Sequence, residues 1–334
     1  MFKNLKKTFI IAEIGNNHEG DFKLAKKLIS LAAKAGADAV KFQTFIPEYY
    51  VSSSNPDRIE KLKSFQLSQN EFRQLSKFSC DCGVLFFSTP FDIDSAKFLN
   101  NLQPLFKISS GDNTFYPLID TISNFGKPII ISTGITTYET IDRLYNRIFK
   151  VWKGNNHEGN LALLHCVSSY PVPIEEANLS KIKTMIGKYP RASIGYSDHT
   201  IGNEAAIYAV SIGAKIIEKH FTIDKHYSLF RDHQLSADPK EFMELVKSIR
   251  KFEMLKGNGD LTIQECEKEI QIEVRRSIAA KTNLKKGDKL SLNDITWVRP
   301  GTGIAPGKEN LIIGRILAKE LKQGQLLSLD DFEK

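Results

Sequence analysis

Short apolar runs alternate with longer amphipathic ones through the first 220 residues. Eight short runs read as strands: Phe9–Ile14, Asp38–Gln43, Val84–Ser88, Leu105–Ser109, Pro128–Ser132, Leu161–Cys166, Ala192–Ser197 and Lys215–Lys219. Between them the apolar period becomes helical. In Asp21–Ala35, Leu24, Ala25, Leu28, Ile29, Ala32 and Ala33 recur at helical spacing. The same spacing predicts helices over Asn70–Cys82, Ile93–Asn101, Tyr116–Asn124, Tyr138–Lys150, Leu179–Tyr189, Asn203–Ile212 and Pro239–Lys256. Strand–helix alternation of this length implies a parallel sheet. Eight units favour a closed (β/α)8 TIM barrel over an open doubly wound sheet, and no G-x-G-x-x-G opens a helix. Residues 45–68 form a longer connection after the second strand, where loops shape substrate sites.

Every predicted strand ends beside polar residues. Glu13, Lys41 with Gln43, Thr89, Lys107 with Ser110, Ser132, Ser168 with Tyr170, Ser197 with His199, and Glu218 with His220 stand at the C-terminal ends. Burying polar groups at one end of buried strands costs free energy. A ligand at that end offsets the cost, and in a barrel that end is the catalytic face.

The pattern changes after Gly257-Asn258-Gly259. The reading divides the chain into a catalytic barrel (1–258), a charged linker (259–274) and a compact, mostly β module (275–334). By surface-to-volume scaling a module of that size is marginal alone, so it packs on its own barrel or a partner's. The chain carries a net charge of +7, and its last 60 residues hold 12 Lys/Arg against 7 Asp/Glu, which accounts for +5. Without aromatic interleaving or a nucleic-acid motif, this charge suits an anionic small substrate better than nucleic acid. No apolar stretch approaches the ~18 residues of a membrane span. Four cysteines without a disulfide-like framework fit a reduced, cytoplasmic protein, and Cys80-Asp81-Cys82 has no nearby histidine to complete a metal site.

Strand alternation sorts the site side chains. Lys41 and Gln43 share a face, as do Ser197 and His199, and Glu218 and His220. His199 and His220, on adjacent strand ends, can meet one divalent cation and leave positions open for water and substrate; the alternative is two packed histidines hydrogen-bonded to their neighbours. Lys41, Lys107, Thr89, Ser110, Ser132 and Ser197 offer two ammonium groups and several hydroxyls, a set that suits phosphate. Lys219 is turned toward the helical layer, which disfavours a Schiff-base role for it. The segment GNNHEG occurs at 15–20 and again at 154–159. Only the first follows a strand, so His18 is expected near the chemistry and His157 on the surface.

At this point the segments EIGNNHEG (13–20), VKFQTF (40–45), FFSTPF (86–91), FKISSGDN (106–113), IISTG (130–134), LLHCVSSYP (163–171), GYSDHT (195–200), EKHFT (218–222) and RDHQLSADP (231–239) resemble the sialic acid synthase family. The tail RRSIAAKTNLKKGD…WVRPGTGI (275–304) resembles the antifreeze-protein-like (SAF) domain. The resemblance implies condensation of phosphoenolpyruvate with an N-acetylhexosamine-type sugar to a nine-carbon acid. His199 and His220 are then metal ligands, for Mn²⁺ first, with Mg²⁺ or Co²⁺ as alternatives. Lys41, Thr89, Lys107, Ser110, Ser132 and Ser197 form the phosphoenolpyruvate pocket. Glu13, Gln43, Tyr170 and Asp232 form the sugar-binding and acid–base set, with Lys107 and Asp112 also among the catalytic candidates. Arg299 is the residue that a second subunit inserts over the N-acetyl group, in a domain-swapped homodimer. Ser168, Asp112 and the 45–68 connection depart from the family pattern, so N-acetylmannosamine and a 2,4-diacetamido-trideoxyhexose both stay open as acceptors. Competing readings are a Schiff-base pyruvate aldolase or lyase, a deoxy-sugar-acid phosphate synthase, and a non-catalytic glycan-binding protein.

Overall fold

The computed structural model describes residues 1–333. Eight parallel strands are present: β1 (Phe9–Gly15), β2 (Ala39–Thr44), β3 (Leu85–Pro90), β4 (Phe106–Ile108), β5 (Ile129–Ser132), β6 (Leu161–Cys166), β7 (Ala192–Asp198) and β8 (Ile216–His220). They follow the ladder order β3-β2-β1-β8-β7-β6-β5-β4. The two ends of that order, β3 and β4, lie side by side and close the barrel. At this seam a side chain replaces ladder bonds: Ser88 N–H donates to Gln103 Oε1 at 2.7 Å, and Gln103 Nε2 donates back to Ser88 O at 3.2 Å.

Alternation divides the core in two. Outward residues such as Ile10, Val40, Phe42, Phe86, Ile131 and Ile217 pack under the helices. Inward residues Ile11, Ala39, Phe87, Leu105, Ile130, Ala162, Leu164 and Ile216 fill the lower barrel, together with Phe2. The lower barrel is thus a dry plug, and the polar residues begin one inward step higher on each strand. Asp38 falls outside β2, where it was expected, because its carboxylate accepts from Ile10 N at 2.8 Å and from Arg250 Nη2 at 2.9 Å. Lys219 does face the helical layer and is buried there, 2.8 Å from Asp198 Oδ2 and donating to Thr200 O.

The expected helices are present. The 45–68 connection also folds, into short helices Pro47–Tyr50 and Pro56–Phe65. Asn55 caps the second of these, and a proline starts each at the first turn, where its missing N–H costs nothing. Phe45, Phe65 and Phe91 form a buried cluster with Tyr50, Leu62 and Phe230, so this segment packs on the loops after β3 and β8.

The chain forms two compact units, Met1–Gly257 and a second beginning at Asn258. Residues 259–274, read as a linker, cluster with the second unit; Ile272 O accepts from Gly301 N at 2.8 Å. That unit pairs β9 (Ser277–Ala280) antiparallel with β10 (Ile295–Val298) around Ile278, Leu290, Ile312, Leu317, Leu327 and Phe332. Among the described residues no helix is long and apolar enough to cross a membrane.

Candidate active site

One inward step above the apolar plug, successive strands from β1 to β8 present Glu13, Lys41, Thr89, Lys107, Ser132, Cys166, Ser197 and Glu218. The parallel register aligns Glu13 with Lys41 and Cys166 with Ser197, while Ser197 pairs with Glu218. The four charged members are each 2–4% exposed. Lys41 Nζ lies 2.9 Å from Glu13 Oε2, 3.7 Å from Glu218 Oε1, and 3.2 Å from Thr89 Oγ1. Lys107 Nζ lies 3.0 Å from Glu218 Oε1, which also accepts from Ser197 Oγ at 3.1 Å. Glu218 therefore joins both lysines across the barrel.

The surroundings push the two carboxyls apart. Burial raises Glu13, and the nearby Glu218 charge adds to that, outweighing the opposing pull of Lys41. Burial acts on Glu218 too, but Lys107 and Lys41 overcome it and hold the carboxyl down to about 2. Glu218 is a fixed anion, and Glu13 is the carboxyl disposed to carry a proton. Burial lowers Lys107 despite Glu218, whereas Glu13 and Glu218 offset burial at Lys41 and raise it.

The hydroxyls gather beside this cluster. Ser110 Oγ accepts from Gly134 N at 3.0 Å, and a Cβ on Gly134 would stand 2.3 Å from Ser168 Oγ and 2.7 Å from Ser110 Oγ. Only glycine lets these two serines approach. Ser132 Oγ and Ser168 Oγ are buried without a protein partner, as is Glu218 Oε2. These orphaned polar atoms at the C-terminal ends of the strands leave donors and acceptors open to a polar ligand or water.

His199 and His220 stand at the next level, with ring centroids 5.3 Å apart. His199 Nδ1 lies 2.8 Å from Val167 O, a bond that fixes the ring and leaves Nε2 free, as in metal-ligating histidines. His220 Nδ1 is buried with no partner, and burial together with His199 and Lys41 holds this imidazole neutral. The pair fits a cation. Among the described residues no cluster of three or more His, Cys, Asp or Glu could hold a metal ion, so further ligands would come from water or substrate.

On the remaining side, Gln43 Nε2 donates to Glu13 Oε1 at 3.2 Å, and Asn16 Nδ2 donates to Gln43 Oε1 at 2.9 Å. The Tyr170 ring lies 4.2 Å from that of His199, and burial raises its phenol far above the ordinary value, so it stays protonated. Arg231 sits over Tyr170 at 5.0 Å, next to Asp232. Asp112 accepts from Ser109 Oγ at 2.6 Å, and burial nevertheless raises its carboxyl. Arg299 is exposed just past the end of β10, in the C-terminal unit.

His18 differs from expectation. Its ring packs against outward-facing Phe42 at 5.8 Å, and its Nδ1 accepts from Gly20 N at 3.1 Å. Burial holds it down to about 4, so it is a neutral core histidine. The turn after β1 rotates it out of the mouth. Four residues join the site without having been given a role in it by sequence reasoning: Glu218, already placed at the catalytic end beside His220, and Asn16, Cys166 and Arg231. For Glu218 the signal was its shared face with His220; for Cys166, whose Sγ lies 3.7 Å from His199 Nδ1, it was its place at a strand end.

Residues 28–261 match the NeuB family, and residues 275–333 match the SAF domain. The chain belongs to the NeuB family. This NeuB-family protein is 37% identical over 338 residues to the N,N'-diacetyllegionaminic acid synthase of Campylobacter jejuni, with 97% of this chain and 99% of the relative covered. It is 34% identical over 346 residues to the pseudaminic acid synthase of the same species, with 99% of this chain and 98% of the relative covered. The solved N-acetylneuraminic acid (sialic acid) synthetase from Leptospira borgpetersenii superposes with a TM-score of 0.72 at 37% identity, covering 79% of this chain and 90% of that one. These relatives are sugar-acid synthases, and this NeuB-family chain is an enzyme of that kind.

Proposed function

We propose that the enzyme condenses phosphoenolpyruvate with the open-chain aldehyde of an N-acetylhexosamine-type sugar, giving a nine-carbon sugar acid and phosphate. The observation that carries this reading is the inward layer of two lysines, two carboxyls with opposed proton affinities and several hydroxyls, set directly below two imidazoles. Lys41, Lys107, Thr89, Ser110, Ser132 and Ser197 bind the phosphoenolpyruvate anion.

A divalent cation, held by His199 and His220, would act as a Lewis acid on the aldehyde oxygen. The protein's own groups do the rest. Gln43, Tyr170 and Asp232 orient the acceptor so that carbon 3 of phosphoenolpyruvate meets the aldehyde carbon and the C–C bond forms. Glu218 remains ionised and stabilises positive charge developing at carbon 2. Water adds there, and one of its protons passes by way of Glu13 or Asp112, the two carboxyls that burial holds high, to the alkoxide oxygen that the C–C step leaves on the sugar. The tetrahedral centre then loses phosphate by C–O cleavage. Holding both substrates in one cavity supplies several kcal/mol of the acceleration, on the order of other well-oriented reactions.

The mouth also supports a second-subunit reading. Tyr49, Ile135, Ile174, Ile201 and Leu229, on the segments that follow the C-terminal ends of the strands, are exposed apolar residues. An apolar rim of this kind marks an interaction surface. In the proposed homodimer the partner's C-terminal unit covers it and brings in Arg299. Light scattering at assay concentrations then gives twice the chain mass.

The test of the reaction is phosphate release from phosphoenolpyruvate with Mn²⁺, using N-acetylmannosamine and a 2,4-diacetamido-trideoxyhexose side by side, with and without EDTA. Release with one sugar that EDTA abolishes supports the proposal. Release with neither sugar overturns it for these acceptors.

A further inference from the structure

The helix Arg231–Leu235, which brings Arg231 and Asp232 to the mouth, is five residues long. A helix that short does not persist in water by itself, so other contacts must fix its position and its rotation. Those contacts come from the turn after β1. His233, fully buried, has Nε2 donating to Glu19 Oε1 at 2.8 Å and Nδ1 2.6 Å from Thr222 Oγ1. Ser228 Oγ donates to the same Glu19 oxygen. Glu19 itself sits at φ 47°, a left-handed conformation uncommon for a residue with a side chain. Asn17 Nδ2 donates to Ser236 Oγ at 3.0 Å, and Ser236 Oγ donates to Asp232 O at 2.5 Å.

The turn thus grips the segment at Ser228, His233 and Ser236. A ring fixed at both nitrogens sets the rotation of a one-turn helix, and with it the direction of its neighbours. Those neighbours are Asp232 and Arg231, which lies over Tyr170 and through it against His199. We infer that Glu19 and His233 are a positioning pair for acceptor recognition: neither touches substrate, and together they aim Asp232 and Arg231 at the sugar. This inference rests on the proposed function for its kinetic arm only.

The experiment compares wild type, Glu19→Ala and Glu19→Gln in the full-length protein. The glutamine variant keeps an oxygen that accepts from His233. Losing a hydrogen bond to a charged group is worth about tenfold, so Glu19→Ala raises KM for the sugar about tenfold, moves KM for phosphoenolpyruvate by less than about twofold, and Glu19→Gln recovers most of the loss. Hydrogen exchange of residues 228–236 rises in Glu19→Ala and stays at wild-type level in Glu19→Gln. Equal rises in both KM values indicate a general structural effect and overturn the inference, as does unchanged exchange over 228–236. If wild type turns over no acceptor, the proposed reaction fails, and the exchange measurement alone decides whether the pair fixes the helix.

Discussion

Glu218 Oε1 lies 3.0 Å from Lys107 Nζ, a residue 111 positions earlier on the opposite wall of the barrel. The ion pair holds two buried charges where an anionic substrate would otherwise be needed to compensate Lys107. Removing one partner of such a pair costs about 3–5 kcal/mol, because the remaining charge is left buried. Glu218→Ala is therefore expected to lower the melting temperature. Inorganic phosphate is expected to recover more of it in the variant than in wild type, by neutralising Lys107 and Lys41. Equal phosphate shifts in the two proteins, read by thermal unfolding, would mean that the lysines do not bind the anion.

Acid stability follows from the same residue. Glu218 has its carboxyl held at about 2, below the ordinary 4.5. A lowered carboxyl contributes stability above the unfolded value and loses it as pH falls toward the folded value. Wild type is thus expected to lose stability as pH falls from about 4.5 toward about 2, and Glu218→Gln to lose less over that window. Urea midpoints across the window check this, and parallel curves would contradict it.

Glu13 carries the opposite sign. Its raised carboxyl is protonated over a wider range than an ordinary glutamate, so activity that needs the carboxylate falls earlier on the acid side. Glu13→Gln is expected to cut kcat by about 10²-fold or more, the usual worth of a positioned proton acceptor. Asp112→Asn is the comparison. If it loses more than Glu13→Gln, the water proton goes to Asp112.

The lysines separate binding from Schiff-base chemistry. Lys107→Met is expected to raise KM for phosphoenolpyruvate by about tenfold or more, equivalent to at least about 1.4 kcal/mol, while the sugar KM changes little. Borohydride with pyruvate is expected to trap no adduct, because Lys41 and Lys107 are each paired with glutamate and Lys219 is bound to Asp198 outside the barrel. A trapped lysine, located by peptide mass, would favour the aldolase reading instead.

Much of this could be read from the sequence because the barrel is a local repeat. Period-two runs and helical runs gave each strand and its neighbouring helix. Alternation then placed Lys41 with Gln43 and Glu218 with His220 on common faces. Contacts that close across the barrel were not legible, since nothing local relates Glu218 to Lys107 or Gln103 to Ser88. The helices of the 45–68 segment had signals, Asn55 before Pro56 and Pro47 after Ile46, but short apolar spacing hid them. His18 was misplaced because topology fixes the turn it lies on and leaves its side-chain direction open. That direction depends on Gly20, whose φ of +79° and approach to Ser64 O, only 2.1 Å from a would-be Cβ, hold the turn under the Pro56–Phe65 helix.

The proposed metal binding has a readout that does not need turnover. Mn²⁺ titration by calorimetry or electron spin resonance is expected to give one site per chain in wild type and none in His220→Ala. Retention of the site in that variant would remove His220 from the ligand set.

The central claim is that carbon 2 of phosphoenolpyruvate takes up water and then releases phosphate by C–O cleavage. Phosphoenolpyruvate labelled with ¹⁸O at the bridging oxygen tests it most directly, incubated with Mn²⁺ and each acceptor. The account predicts a nine-carbon acid free of label and phosphate carrying it. Label retained in the acid, or phosphate released without the acid, would contradict it.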